Sequence, residues 1–289
     1  MSSPPPSRVR CRQIAKADLE AVADLLTRGF PLRTRKYWTS GLERLEAQPA
    51  IEGCPQFGYC LEADGRIVGV LLLIFSTHGA AADVSIRCNV SSWYVEEAFR
   101  NYAPQLVSQA VRLRHVTYLN TSPAAHTWPI LTAQGYSRYT EGQVVSLPAL
   151  GGAAKGVKVS SFQGRAWERA MPDYDLIRAH LEAGCIGLVC ETDAGPLPFL
   201  FVRRPLAYAP VGVAQLIYCR DTDAYVRCAG AIGRHLLARG ILCVLCDADA
   251  PVAGLPGVFV RNKQPRYFRG PVRPRMNDLS FTETVIFGP

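Results

Sequence analysis

The stretch from Val84 to Asn120 narrows the choice of fold more than any other part of the chain. Val84, Ile86 and Cys88 alternate with Ser85 and Arg87, and Val90, Trp93 and Val95 prolong the same β-forming run. The turn Glu96-Glu97-Ala98-Phe99-Arg100-Asn101 then leads into a helix with Leu106, Val107, Ala110, Val111 and Leu113 at helical spacing. Val116-Thr117-Tyr118-Leu119 is a second short strand. A helix entered straight from a strand starts with backbone N–H groups that lack intrahelical partners, a setting suited to a phosphate.

At these residues the chain resembles the GNAT acyltransferase superfamily. Trp93-Tyr94-Val95 stands where that family has an aromatic-valine strand end, and Glu97-Ala98-Phe99-Arg100 where it has an acidic-x-aromatic-Arg turn. The likeness extends to Asp18-Leu19-Glu20-Ala21-Val22 and to Leu131-Thr132-Ala133-Gln134-Gly135-Tyr136, covering residues 8–148. It implies an acyl-CoA as substrate, with its pyrophosphate held by the loop after the strand. Carried over residue by residue, the cofactor contacts are Trp93, Tyr94, Val95, Arg100, Asn101, Tyr102, Ala103 and Gln105, with Asn120 facing the pantetheine arm. The backbone N–H that polarises the thioester falls near Tyr94 or Val95.

Two departures bear on the chemistry. The family loop reads Arg/Gln-x-x-Gly-x-Gly/Ala; here it is Arg100-Asn101-Tyr102-Ala103-Pro104-Gln105. Side chains at Ala103 and Gln105 crowd a close backbone approach, and Pro104 has no N–H to donate although it suits a first helical turn. The family's frequent proton-donating tyrosine falls at Leu131, leaving Tyr94, Tyr136 and Tyr139 as the candidate catalytic residues.

Ahead of this unit, Val9–Ile14 reads as a strand, Leu19–Gly29 as a helix capped by Asp18, and Thr39–Gln48 as a second helix. Between the helices lies the basic and aromatic run from Phe30 to Trp38, read either as a wall of the acceptor site or as a solvated turn. Residues 58–62 and 66–75, separated by Ala63-Asp64-Gly65, predict a hairpin. The segment 150–157, small and without apolar pattern, is the expected linker.

Beyond it the order of elements repeats: helix Asp175–Ala183, strands 186–191, 198–203 and 213–219, helix Asp223–Arg239, strand 242–246, and a last strand 281–287. The expected organisation is therefore α+β, two tandem GNAT-like units, each a mixed, mostly antiparallel sheet flanked by helices. The boundaries are a disordered 1–7, a first domain 8–149 with the acyl-CoA loop, the linker 150–157, and a second, degenerate domain 158–289. In that second half Arg220-Asp221-Thr222-Asp223 takes the place of the phosphate loop, and its acids compete with a pyrophosphate.

The ten cysteines lie mostly inside apolar runs and read as buried thiols. Cys243-x-x-Cys246 lacks a second ligand pair, so no metal is expected. The longest apolar run, Ile67–Phe75, is too short to cross a bilayer, so the protein is expected in the cytoplasm and off the membrane. A net charge of +8 favours anionic partners. Arg261, Lys263, Arg266, Arg269, Arg273 and Arg275, interleaved with Tyr267 and Phe268, leave three readings open: a nucleic-acid surface, a small-anion site, or a solvated loop.

Three functions remain at this point: acyl transfer from acetyl-CoA or another acyl-CoA to a small-molecule or peptide amine, a GNAT-like binding module without turnover, and nucleic-acid binding through 261–275, the least favoured. A homodimer is compatible with each.

Overall fold

The computed structural model describes residues 8–79, 84–152, 156–204 and 212–288. The expected disorder at 1–7 and part of the expected linker, 153–155, lie outside them. The chain divides into two compact units, 1–120 with 269–272, and 121–268 with 273–289.

The first unit runs β1 (Arg10–Gln13), α1 (Leu19–Gly29), α2 (Arg35–Glu46), β2 (Gly58–Ala63), β3 (Arg66–His78), β4 (Ser85–Val95), α3 (Ala103–Ala110) and β5 (Val116–Asn120). Strands β1 to β4 are antiparallel neighbours in chain order, and β5 joins β4 in parallel. The β2–β3 hairpin turns at Asp64 and Gly65, both in the left-handed region, as the Asp-Gly signal requires. Helix α1 buries Val22, Leu25 and Leu26, and α2 buries Trp38, Leu42 and Leu45. The central β3 is apolar throughout Ile67–Phe75 because both of its faces are covered.

Asp18 does not cap α1 with its side chain. Its carboxylate accepts from the Ala15 N–H at 2.8 Å and from Arg12 at 2.6 and 2.9 Å, closing the 3-10 turn that precedes the helix. Helix α2 begins at Arg35 rather than Thr39, because Thr34 caps it by accepting from the Tyr37 N–H.

The second unit runs α4 (Trp128–Ala133), β6 (Ser137–Ser146), β7 (Lys158–Ser161), α5 (Ala166–Arg169), α6 (Tyr174–Glu182), β8 (Ile186–Thr192), β9 (Gly195–Arg204), β10 (Gly212–Cys219), α7 (Thr222–Leu237), β11 (Ile241–Ala248), β12 (Gly257–Arg269) and α8 (Glu283–Ile286). From β7 to β11 it repeats the first: antiparallel β7 to β10, then a helix, then β11 parallel to β10. Both units are thus mixed, mostly antiparallel sheets flanked by helices. Helix α7 packs Tyr225, Cys228, Ile232 and Leu236 onto one sheet face, while Ile177, Leu200, Ile217 and Val285 form a core on the other.

By contacts the chain divides at Asn120/Thr121, and β6 pairs antiparallel with β11 from Ser146↔Val244 to Gly142↔Ala248 and also with β12. One expectation is corrected here. The expected last strand at 281–287 is instead the short helix α8: Phe281 takes φ 51 and breaks the extended path ahead of it.

Candidate active site

Strand β4 pairs with β5 over Ile86↔Val116 to Asn89↔Leu119 only. β5 ends one residue later, at Asn120, whereas β4 continues to Val95. From Val90 to Val95, β4 therefore runs on past its last pairing with β5. Against β3, the register slips between Leu71↔Trp93 and Leu73↔Val90, so β4 carries one extra residue at Ser91-Ser92. A bulge of this kind bends a strand and re-aims its side chains. The two serines, poor β-formers within a β-forming run, were its only trace in the sequence.

Beyond the bulge Trp93 is 38% exposed, Tyr94 half-buried and Val95 buried. Tyr94 packs against Phe30 with ring centroids 6.3 Å apart, Phe30 against Trp38 at 5.4 Å, and Trp38 against Tyr37 at 4.9 Å. The Arg33 guanidinium lies 4.5 Å from the Tyr37 ring centre. Phe30, Tyr37 and Trp38 thus form an aromatic cluster that packs against Tyr94 near the end of β4. Glu96 ties this mouth together: its carboxylate accepts from Arg28 at the end of α1 (3.1 Å) and from Arg66 at the start of β3 (2.9 and 3.0 Å). Sequence reading missed this clamp, whose partners lie far away along the chain.

The loop differs from the open cradle that the resemblance implies. Residues Glu97–Tyr102 wind into a 3-10 helix, and no residue from Glu96 to Gln105 takes a positive φ. The Phe99 N–H donates to the Glu96 carbonyl at 2.9 Å and the Ala103 N–H to that of Arg100. An open anion nest alternates right- and left-handed residues, which glycine favours. With Ala103 and Gln105 in the small positions, the backbone closes on itself instead. Arg100, paired loosely with Glu97 at 4.0 Å, and Asn101 stay exposed, Tyr102 and Ala103 half-buried, and Gln105 exposed. Asn120, half-buried, is the last residue of β5.

Tyr136 and Tyr139 fall in the second unit and are buried, Tyr139 edge-on to Phe268 at 6.1 Å. The basic stretch 261–275 is mixed: Arg266 and Tyr267 are buried, Arg266 paired with Asp247, whereas Arg261, Arg273 and Arg275 are exposed, Arg275 pairing with Asp278 at 3.3 Å. A nucleic-acid surface there loses its central residue.

Crystal structures of known proteins share this architecture. A GCN5-related N-acetyltransferase from Anabaena variabilis ATCC 29413 superposes with a TM-score of 0.60 at 10% identity, over 91% of this chain and 72% of that one. The chain has the fold of the GCN5-related N-acetyltransferases. A second such enzyme, from Kribbella flavida, gives 0.56 at 13% identity, covering 91% of this chain and 71% of its own. A conserved protein of unknown function from Enterococcus faecalis V583, described as a probable N-acyltransferase, gives 0.58 at 10%, over 94% and 74%. No protein-family model and no curated protein matches the sequence. Among the described residues, no helix is long and apolar enough to cross a membrane, and no group of three or more His, Cys, Asp or Glu is placed to hold a metal ion.

Proposed function

We propose that the first unit is an acyl-CoA-dependent N-acyltransferase. The observation that supports this reading is the parting of β4 from β5 after Asn89↔Leu119, with β4 bulged at Ser91-Ser92 and the aromatic cluster of Tyr94, Phe30 and Trp38 at its end. The thioester lies along β4 beyond that parting with its carbonyl oxygen on the backbone N–H of Tyr94 or Val95. An unprotonated amine attacks the carbonyl carbon, the C–N bond forms as the C–S bond breaks, the new amide nitrogen sheds one proton that restores the general acid, and the CoA sulfur leaves with the proton that acid gave up. Tyr94, the one candidate tyrosine at this mouth, supplies that proton; orientation along β4 carries most of the rate, for which roughly 7–11 kcal/mol is attainable. Because the loop amides are spent in their own turns, the diphosphate is held by the Arg100 guanidinium and the Asn101 carboxamide, with Asn120 on the pantetheine.

Acetyl-CoA at millimolar concentration raises the melting temperature of the intact protein, and Arg100→Glu removes the rise; no shift with the native protein overturns the reading. Across a panel of small amines and peptide N-termini, Tyr94→Phe lowers kcat about 10- to 100-fold with acetyl-CoA binding kept.

The closed loop favours a second reading, a module of this fold that binds an acyl-CoA or another ligand without turnover. It is separated from the first by the same panel: a melting shift with no free CoA released from any amine.

A further inference from the structure

The second unit repeats the parted strands of the first, and the parting is already filled. β10 and β11 pair from Gly212↔Ile241 to Gln215↔Leu245, then β10 runs on to Cys219 and β11 to Ala248. β10 carries an extra residue between Leu216 and Tyr218 against β9, the counterpart of the bulge at Ser91-Ser92. Beyond this point the backbone groups of both strands need partners, since the region is buried.

Those partners come from the segment after β12. On the β10 side, the Cys219 N–H donates to the Asn277 carbonyl at 3.1 Å and the Leu279 N–H to the Ile217 carbonyl at 2.7 Å, with Tyr218 and Asp278 bridged antiparallel. On the β11 side a side chain does the same work. The Asn277 carboxamide accepts from the Asp247 N–H at 2.8 Å and donates to the Asp247 carbonyl at 3.2 Å. Asn277 also donates to the Thr222 hydroxyl at 3.2 Å, at the start of α7, where Asp221 already accepts from the Ala224 N–H. Asn277 takes φ 55, and residues 277–280 are all buried. Downstream, the Phe281 N–H donates to His180 Nε2 at 3.2 Å.

We propose that the parted strands of the second unit form a binding site for a polypeptide segment, and that Arg275–Phe281, turned at Asn277 and bridged to β10 at Asp278, is its resident ligand. Main chain satisfies one lip and an asparagine carboxamide the other, so the site selects peptide backbone with a carboxamide at one position. The inference stands apart from the acyltransferase reading of the first unit. It assigns the second unit a ligand of different chemistry.

The test uses the full-length chain with a protease site inserted between Val272 and Arg273, both exposed. After cleavage the released segment, 273–289, stays bound through gel filtration and exchanges with a fluorescent synthetic peptide of the same sequence. The same peptide with Asn277→Ala competes about tenfold more weakly, because it leaves two buried backbone groups unpaired. In the uncut Asn277→Ala protein, amide hydrogen exchange at Cys219 and Asp247 speeds up about tenfold while exchange along β3 is unchanged. Loss of the cut segment without change in melting, equal competition by both peptides, or displacement of the segment by acetyl-CoA overturns the proposal.

Discussion

Arg266 and Asp247 meet through two hydrogen bonds, Nε to Oδ2 and Nη2 to Oδ1, each 3.1 Å, with both side chains 1% exposed. Gln143 adds a third contact, donating to Asp247 Oδ1 at 2.9 Å, and the Arg266 N–H donates to the Thr140 hydroxyl at 3.1 Å. Three strands of the second unit, β6, β11 and β12, are therefore pinned by one buried pair.

Breaking that pair leaves an uncompensated charge in the core. Arg266→Met costs about 3–5 kcal/mol, and Asp247→Leu a similar amount, whereas the double variant recovers most of the loss because two apolar side chains replace two desolvated charges. Denaturant unfolding of the four proteins checks this. If either single variant unfolds like the native protein, the pair is not what holds these strands.

Gly29 ends α1 directly over the Tyr94 ring: a Cβ built there lies 2.4 Å from Tyr94 Cγ. Gly29→Ala must push the ring or the helix end aside, at a cost of about 1–3 kcal/mol. The expected result is a lower melting temperature together with a raised KM for the amine, since the displaced ring belongs to the aromatic cluster. Restoring space with Gly29→Ala plus Tyr94→Leu returns the melting temperature but not the KM.

Local signals reached far into the fold. The Asp-Gly turn fixed the β2–β3 hairpin, and the apolar spacing of Leu19–Gly29 gave α1 to the residue. The repeated order of elements gave the second sheet. What stayed hidden was decided by partners distant along the chain. Six basic residues between 261 and 275 look like a solvated or ligand-binding run until Asp247, brought alongside by β6, claims Arg266. The segment 150–157 has the composition of a boundary, while β6 before it pairs with β11 well beyond it, a contact that composition does not signal. In the candidate site, the closure of the loop into a 3-10 turn follows from the missing glycines and could be read in the sequence only as crowding.

His180 is fully buried, with Nδ1 donating to the Leu176 carbonyl at 2.7 Å and Nε2 accepting from the Phe281 N–H at 3.2 Å. The second of these bonds requires the neutral ring. Burial pushes its pKa below 6.5, against smaller opposing effects from the Leu176 carbonyl and Asp278. Above pH 6.5 neither state carries the extra proton and this stabilisation is complete. As pH falls below 6.5 the unfolded chain takes up the proton first, so stability declines until the depressed folded value is reached. Melting temperature in the native protein therefore drops between pH 6.5 and pH 5 more steeply than in His180→Gln; parallel slopes remove His180 from the account.

Acyl-CoA held by side-chain charge responds to salt differently from one held by backbone amides. The Arg100 guanidinium is exposed, and the screening length shrinks from about 10 Å at 0.1 M salt to about 3 Å at 1 M. Raising ionic strength over that range weakens acetyl-CoA binding about tenfold in the native protein, read by calorimetry. Arg100→Gln binds more weakly at low salt and shows a flatter dependence, while Arg100→Lys keeps the slope because it keeps the charge. Tight binding that ignores both salt and Arg100 places the diphosphate on backbone amides, and then the 3-10 turn at Glu97–Tyr102 must open when acyl-CoA arrives.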